Sequence, residues 1–166
     1  MGSFAVNAGS KISAHLLNKK DWLIPNANTF KITKQEPRKN VNILVIDDQH
    51  RKFGLAKILS DKEKYSWISY GSVQDLKSLE EPVLYSADLV FIDIQGVGRF
   101  LTPRDEGLGL ADEILKKYPQ KKVVIYSSEQ KQNFTHPVLS KVSGRLYKED
   151  EPRNFIKYAE DVRDGK

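Results

Sequence analysis

Asp88-Leu89-Val90-Phe91-Ile92-Asp93 is the stretch that decides the fold. Its four central residues are all large and apolar, so a strand here has no polar face and must be covered on both sides. Working outward, Val41-Asn42-Ile43-Leu44-Val45-Ile46 is a second β-branched run, and it too ends on acid, at Asp47 and Asp48. Strands buried on both faces belong to parallel sheets flanked by helices. Between the two runs, Leu55, Ile58 and Leu59 predict a helix over Phe53–Ser60. Tyr65–Tyr70 alternates and predicts a strand, and Val73–Leu79 predicts a short helix. Beyond Asp93, Leu108, Ala111, Ile114 and Leu115 predict a helix over Leu108–Tyr118, stopped by Pro119. Lys122–Tyr126 and Arg145–Tyr147 read as a fourth and a fifth strand. Phe155, Ile156, Ala159 and Val162 predict a last amphipathic helix entered through Pro152. Glu129–Leu139 makes a poor helix, because Pro137 would stand in its interior. Strands alternating with helices imply an α/β doubly wound parallel sheet of five strands.

The chain has 166 residues, 39% hydrophobic and 30% charged, an ordinary globular balance. It has no cysteine, which excludes disulfides, thiolate metal sites and cysteine nucleophiles. Its three histidines, His15, His50 and His136, are too scattered to suggest a histidine metal site. No apolar run is long enough to span a membrane and no signal segment opens the chain, so a soluble cytoplasmic protein is expected. The net charge of +5 is uneven. Residues 1–40 hold Lys11, Lys19, Lys20, Lys31, Lys34, Arg38 and Lys39 against Asp21 and Glu36, while residues 41–166 are balanced. Two domains are expected on this contrast: a basic N-terminal extension over 1–40 and an α/β domain over 41–166. The extension is the one place where nucleic acid could be held. Trp22, Leu23, Ile24 and Phe30 would be costly in a free tail, so it is expected to dock.

Ligands of a doubly wound sheet bind at the carboxyl ends of its strands. Those ends carry Asp47 and Asp48, Asp93, Ser127 and Ser128, and Lys148. Clustered carboxylates raise one another's pKa, and a divalent cation relieves the repulsion. Magnesium accepts such hard oxygen ligands while keeping several waters. One carboxylate can then attack phosphorus, with the metal, an ammonium and a hydroxyl neutralising the phosphoryl oxygens. Carboxylates at strand ends also build magnesium-dependent nucleases and phosphohydrolases, but those have no need of a Ser127 and Lys148 pair.

On these residues the sequence resembles the receiver domains of two-component response regulators, the group that includes the bacterial chemotaxis regulator. The likeness rests on Val45-Ile46-Asp47-Asp48, Asp88–Asp93, Gly107-Leu108-Gly109-Leu110, Val124–Ser128 and Tyr147-Lys148, within residues 41–164. It implies a flavodoxin-like sheet with strand order 2-1-3-4-5. It also implies phosphorylation on Asp93 and Mg2+ held by Asp47, Asp48, Asp93 and the backbone carbonyl of Gln95. Ser127 and Lys148 would contact the phosphoryl group. The phosphoryl donor would be a sensor histidine kinase or a phosphotransfer protein. Output would pass to a downstream protein partner or a homodimer mate, with no membrane insertion. The protein would not be an enzyme beyond its own phosphoryl transfer and dephosphorylation. A pseudo-receiver, folded alike but used only for docking, is the alternative.

Three departures from the family's pattern bear on that alternative. The loop after Asp93 is about six residues longer than usual, a change that costs little. Gly96 and Gly98 should make it mobile, and Arg99 or Arg104 could reach phosphoryl oxygens. Lys148 is followed by Glu149, not proline. The aromatic position three residues before the lysine holds Arg145, and Tyr147 is expected on the opposite face of its strand. Among the remaining residues, His50 is expected to cap or line the first helix, Trp22 and Trp67 to pack, and Lys116, Lys117, Lys121 and Lys122 to form a solvated helix end. Asn133-Phe134-Thr135 matches a glycosylation acceptor that, without a secretion signal, carries no meaning.

Overall fold

The computed structural model describes residues 40–52, 54, 59, 61–128 and 135–166. The extension over 1–39, the helix expected over Phe53–Ser60 and the first six residues of Glu129–Leu139 therefore lie outside the described residues or nearly so. The strands are β1 (Val41–Ile46), β2 (Ile68–Val73), β3 (Leu89–Asp93), β4 (Lys122–Ser127) and β5 (Gly144–Tyr147). The α-helices among the described residues are α1 (Lys62–Tyr65), α2 (Pro82–Ser86), α3 (Glu106–Lys117) and α4 (Pro152–Arg163). All strands are parallel, in the order β2-β1-β3-β4-β5. This is the doubly wound α/β fold expected from the sequence.

Alternation along the central strands divides the core into two layers. Leu44, Ile46, Val90, Ile92, Val123 and Ile125 face Leu84 of α2 and Leu110, Ala111 and Ile114 of α3. Ile43, Val45, Leu89, Phe91, Val124 and Tyr126 face Phe155, Ile156 and Ala159 of α4. Every residue of β3 is buried, as its lack of a polar face demands. In register, Val45 lies beside Phe91, and Asp93 lies beside Tyr126. The ends of β1, β3 and β4 are thereby brought level at one edge.

Two elements are displaced from their expected positions. The second strand begins at Ile68, because Asp61 accepts from Lys64 N at 3.2 Å and caps a helical turn that takes in Tyr65. No helix forms over Val73–Leu79. There Asp75 Oδ1 accepts from Leu76 N at 2.8 Å, and Glu81 Oε1 accepts from Lys77 N at 2.6 Å. Side chains thus take the amides a helix would have used. The helix starts instead at Pro82, whose fixed φ suits a first turn.

Trp67 packs as expected, buried at the edge of the core with the Arg163 guanidinium 4.4 Å from its ring centroid. Lys121 does not join a solvated helix end. It is buried, donating to Tyr85 O at 2.9 Å and to Ala87 O, with the Tyr118 ring 5.1 Å away. Lys116 and Lys117 do face solvent and pair with Asp112, Glu113 and Glu80. No helix among the described residues is long and apolar enough to cross a membrane.

Candidate functional site

Asp47 and Asp93 are buried at the carboxyl edge of the sheet, at 2% and 5% relative exposure, and Asp48 is more accessible. One oxygen from each of the three carboxylates lies within 4.8 Å of the others. Lys148 reaches in from the residue after β5. Its Nζ donates to Asp93 Oδ2 at 2.6 Å and lies 3.2 Å from Asp47 Oδ2. Asp47 also accepts from Gln49 N at 2.7 Å on Oδ1 and from the Tyr126 hydroxyl at 2.7 Å on Oδ2.

The two buried carboxylates are held differently. Burial pushes the Asp47 carboxyl up, but Tyr126, Gln49 N and Lys148 together outweigh it and hold the group below its ordinary value. Burial also pushes Asp93 up, and there Lys148 offsets only part of the effect, with the Asp47 charge adding to it. Lys148 is disfavoured by burial but kept ionised by its two carboxylates, above its ordinary value. Asp47 is the fixed anion of the site, and Asp93 is the carboxylate whose charge is less well compensated.

Lys148 keeps its place without a following proline. Its N–H donates to Ser127 O at 2.9 Å. Asp150 closes the turn behind it, accepting from Tyr147 N at 2.8 Å on Oδ2 and donating its own N–H to Tyr147 O at 3.0 Å. Ser127 is buried at the end of β4, level with Tyr147. Gln95 is exposed, two residues past Asp93 and directly before Gly96. His50 donates its N–H to Asp47 O at 2.9 Å and opens a single 3-10 turn, His50–Lys52, outside the oxygen cluster.

The loop after Asp93 is anchored, contrary to the expected mobility. Asp75 accepts from Gly98 N at 2.7 Å on Oδ1 and from Arg99 N at 3.0 Å on Oδ2. Val97 is fully buried, and Thr102 Oγ1 donates to Glu106 O at 2.9 Å. Gly96 has φ +80°, and a Cβ there would enter the space of the Asp48 carboxylate, so its backbone is part of the pocket wall. Gly107 lets the first turn of α3 press on the Asp93 backbone, where any Cβ would meet the Asp93 carbonyl oxygen. Arg99 and Arg104 are exposed, and neither pairs with the pocket among the described residues. Asp75→Ala should leave two loop amides without an acceptor and lower stability by about 1–3 kcal/mol. Hydrogen exchange should quicken at Gly98 and Arg99; unchanged protection there would show that Asp75 is not the anchor.

Arg145 occupies the position where an aromatic side chain is usual, and it donates to Leu139 O at 3.3 Å. Arg145 and Tyr147 share the outward face of β5, and Leu146 points into the core. The expectation that Tyr147 lies opposite Arg145 fails, since residues two apart on a strand share a face. Tyr126 was not foreseen as a site residue. The available signal was a tyrosine on a fully buried central strand, whose hydroxyl needs a partner, one residue before the strand-end serine.

No family model and no curated relative matches the chain. Solved structures do. NtrX from Brucella abortus, in complex with ATP, is 28% identical over 76% of this chain and 27% of its own length, with a TM-score of 0.56. RcsB from Salmonella enterica serovar Typhimurium, bound to a promoter in the presence of phosphomimetic BeF3-, is 21% identical over 77% of this chain and 62% of its own, with a TM-score of 0.59. TrrA from Thermotoga maritima, a response regulator in complex with Mg2+ and BeF, is 18% identical over 74% of this chain and 98% of its own, with a TM-score of 0.54. The chain thus spans about a quarter of the length of NtrX and nearly all of TrrA. Strand order, acidic strand ends and these likenesses lead to one conclusion: the described strands and helices have the fold of response-regulator receiver domains.

Proposed function

We propose that this chain is a phosphoacceptor receiver that takes a phosphoryl group on Asp93. The observation that carries the reading is the Lys148 ammonium bridging the buried Asp93 and Asp47 carboxylates. An Asp93 oxygen attacks phosphorus as the bond from phosphorus to the leaving group breaks, leaving an acyl phosphate. Lys148 already touches the attacking carboxylate and can follow the charge onto the phosphoryl oxygens. Ser127, from the strand between β3 and β5, supplies a hydroxyl at the same edge.

A divalent cation suits the donor set. Three carboxylates offer hard oxygens within 4.8 Å of one another, and the lack of a Cβ at Gly96 leaves the Asp48 carboxylate its place in the cluster. Asp47, Asp48, Asp93 and the Gln95 carbonyl would hold Mg2+, which when bound offsets negative charge at the phosphoryl group. The donor would be a sensor histidine kinase or a phosphotransfer protein. The readout would be contact with a protein partner or a second copy. On this reading the chain turns over nothing but its own acyl phosphate. A hydrolase reading is disfavoured, since Lys148 closes on the carboxylate that would have to serve an external substrate.

A docking-only module is the second reading, favoured by Arg145 in place of an aromatic residue. The test is incubation with acetyl phosphate and Mg2+, followed by intact mass measurement. One added phosphoryl group, released by hydroxylamine, supports the phosphoacceptor. Full-length protein that binds Mg2+ but gains no mass would transfer the case to the docking module.

A further inference from the structure

Tyr126 spans two environments. Its ring belongs to the core layer under α4, edge-on to Phe91 at 6.5 Å and to Phe155 at 6.3 Å between centroids. Its hydroxyl emerges at the acidic edge and donates to Asp47 Oδ2 at 2.7 Å. The side chain is fully buried, so neither end can move without moving its neighbours. Asp47 in turn is held at both oxygens, by Gln49 N on one and by Tyr126 on the other. The last torsion of a carboxylate side chain is broad, so bonds to both oxygens fix its orientation more firmly than a bond to one. Gln49 N is a local donor, two residues away, whereas Tyr126 is brought in from 79 residues further along the chain. Lys148 also lies over the Tyr126 ring, with Nζ 5.3 Å from its centroid. The tyrosine therefore fixes the orientation of Asp47 and supports the ammonium that bridges Asp47 and Asp93.

We infer that Tyr126 is a positioning residue for the cation site: its hydroxyl fixes the Asp47 carboxylate, and its ring couples that carboxylate to the aromatic layer beneath α4. The inference rests on the cation reading of Asp47, Asp48 and Asp93 proposed above. Partners that orient a ligand from behind govern affinity although they never touch the metal. The cation's arrival at Asp47 is accordingly felt at Tyr126 and passed to Phe155 of α4. That route needs no aromatic residue at position 145.

The experiment is Mg2+ titration of the full chain by calorimetry, with Tyr126→Phe and, as a control, Tyr158→Phe. Tyr158 packs on Phe91 in the same layer, but its hydroxyl lies over Gly144. Tyr126→Phe should bind about tenfold more weakly, and Tyr158→Phe within about twofold of the unmodified chain. A second measurement is independent of how well Tyr126→Phe folds. With tyrosine ring ζ-carbons labelled, Mg2+ should shift one buried tyrosine resonance in the unmodified chain and none in Asp47→Asn. Equal Mg2+ affinity in Tyr126→Phe and the unmodified chain, even with a lowered melting temperature, overturns the positioning role. A silent tyrosine spectrum at saturating Mg2+ does the same. Failure of the unmodified chain to bind Mg2+ at all overturns this inference together with the cation reading on which it rests.

Discussion

Asp93→Asn should take up no phosphoryl group from acetyl phosphate, while the unmodified chain accumulates one per molecule. The side chain stands at the end of a strand buried along its whole length, so its backbone is held rigidly. Gly107 lets α3 press against that backbone from the other side. An amide keeps the volume and can still accept from Lys148, but it has no carboxylate to attack phosphorus. Burial already disfavours the ionised Asp93, and Lys148 keeps Asp47 as its partner at 3.2 Å, so removing the Asp93 charge should change stability by no more than about 1 kcal/mol. Borohydride trapping of the acyl phosphate and peptide mapping read the site. A label on Asp47 or Asp48, or undiminished labelling of Asp93→Asn, would show that the phosphoacceptor is elsewhere.

Lys148→Met should lower stability by about 3 kcal/mol near neutral pH, the low end of the cost of stripping one partner from a buried pair. The lower figure applies because the Lys148 side chain keeps 24% of its surface, so some water can replace it. Two buried carboxylates would then face each other, Asp47 with Tyr126 and Gln49 N as donors and Asp93 with the Ile94 N–H. The pH dependence follows in sign. Without the ammonium Asp93, already above its ordinary value, loses its main offset, so its penalty is present at high pH and fades as it takes up a proton in the folded state. The deficit should therefore narrow from about pH 8 to about pH 5, and added Mg2+ should narrow it at constant pH. In the unmodified chain Asp47 behaves oppositely: its stabilising contribution is present above the unfolded value and is lost as pH falls through its lowered folded value. Urea unfolding at the two pH values, with and without Mg2+, tests all of this. A deficit that widens on acidification would mean that Lys148 does not offset the two carboxylates.

The loop and the turn show how this chain departs from the pattern it resembles while keeping the same groups together. Asp75 anchors the lengthened loop, so extra residues do not loosen the wall beside Asp48. Asp150 closes the turn after β5, so Lys148 is placed without a proline. Each device uses a carboxylate as acceptor, Asp75 for two backbone N–H groups and Asp150 for one, and such a bond is stronger than a neutral one.

The sequence by itself determined the sheet and the candidate acids. Leu89–Ile92 and Val41–Ile46 could be buried only between two layers, and that rule is local: it needs the side chains of one strand and nothing else. The same reasoning placed Asp47, Asp48, Asp93, Ser127 and Lys148 at one edge, because parallel strands end on the same side. Tertiary structure decided the rest. Tyr65 and Val73–Leu79 read as strand and helix from periodicity, yet the Asp61, Asp75 and Glu81 carboxylates took the amides that set the real boundaries. Lys121 read as a solvated cation, and only packing revealed that the carbonyls of Tyr85 and Ala87 bury it. Tyr126 read only as the end of the fourth strand, and its hydroxyl acquired a role because the register of β3 and β4 carries it level with the end of β1. Burial along a strand is written in the strand's own periodicity, whereas a hydrogen bond across 79 residues depends on where two distant backbones come to rest.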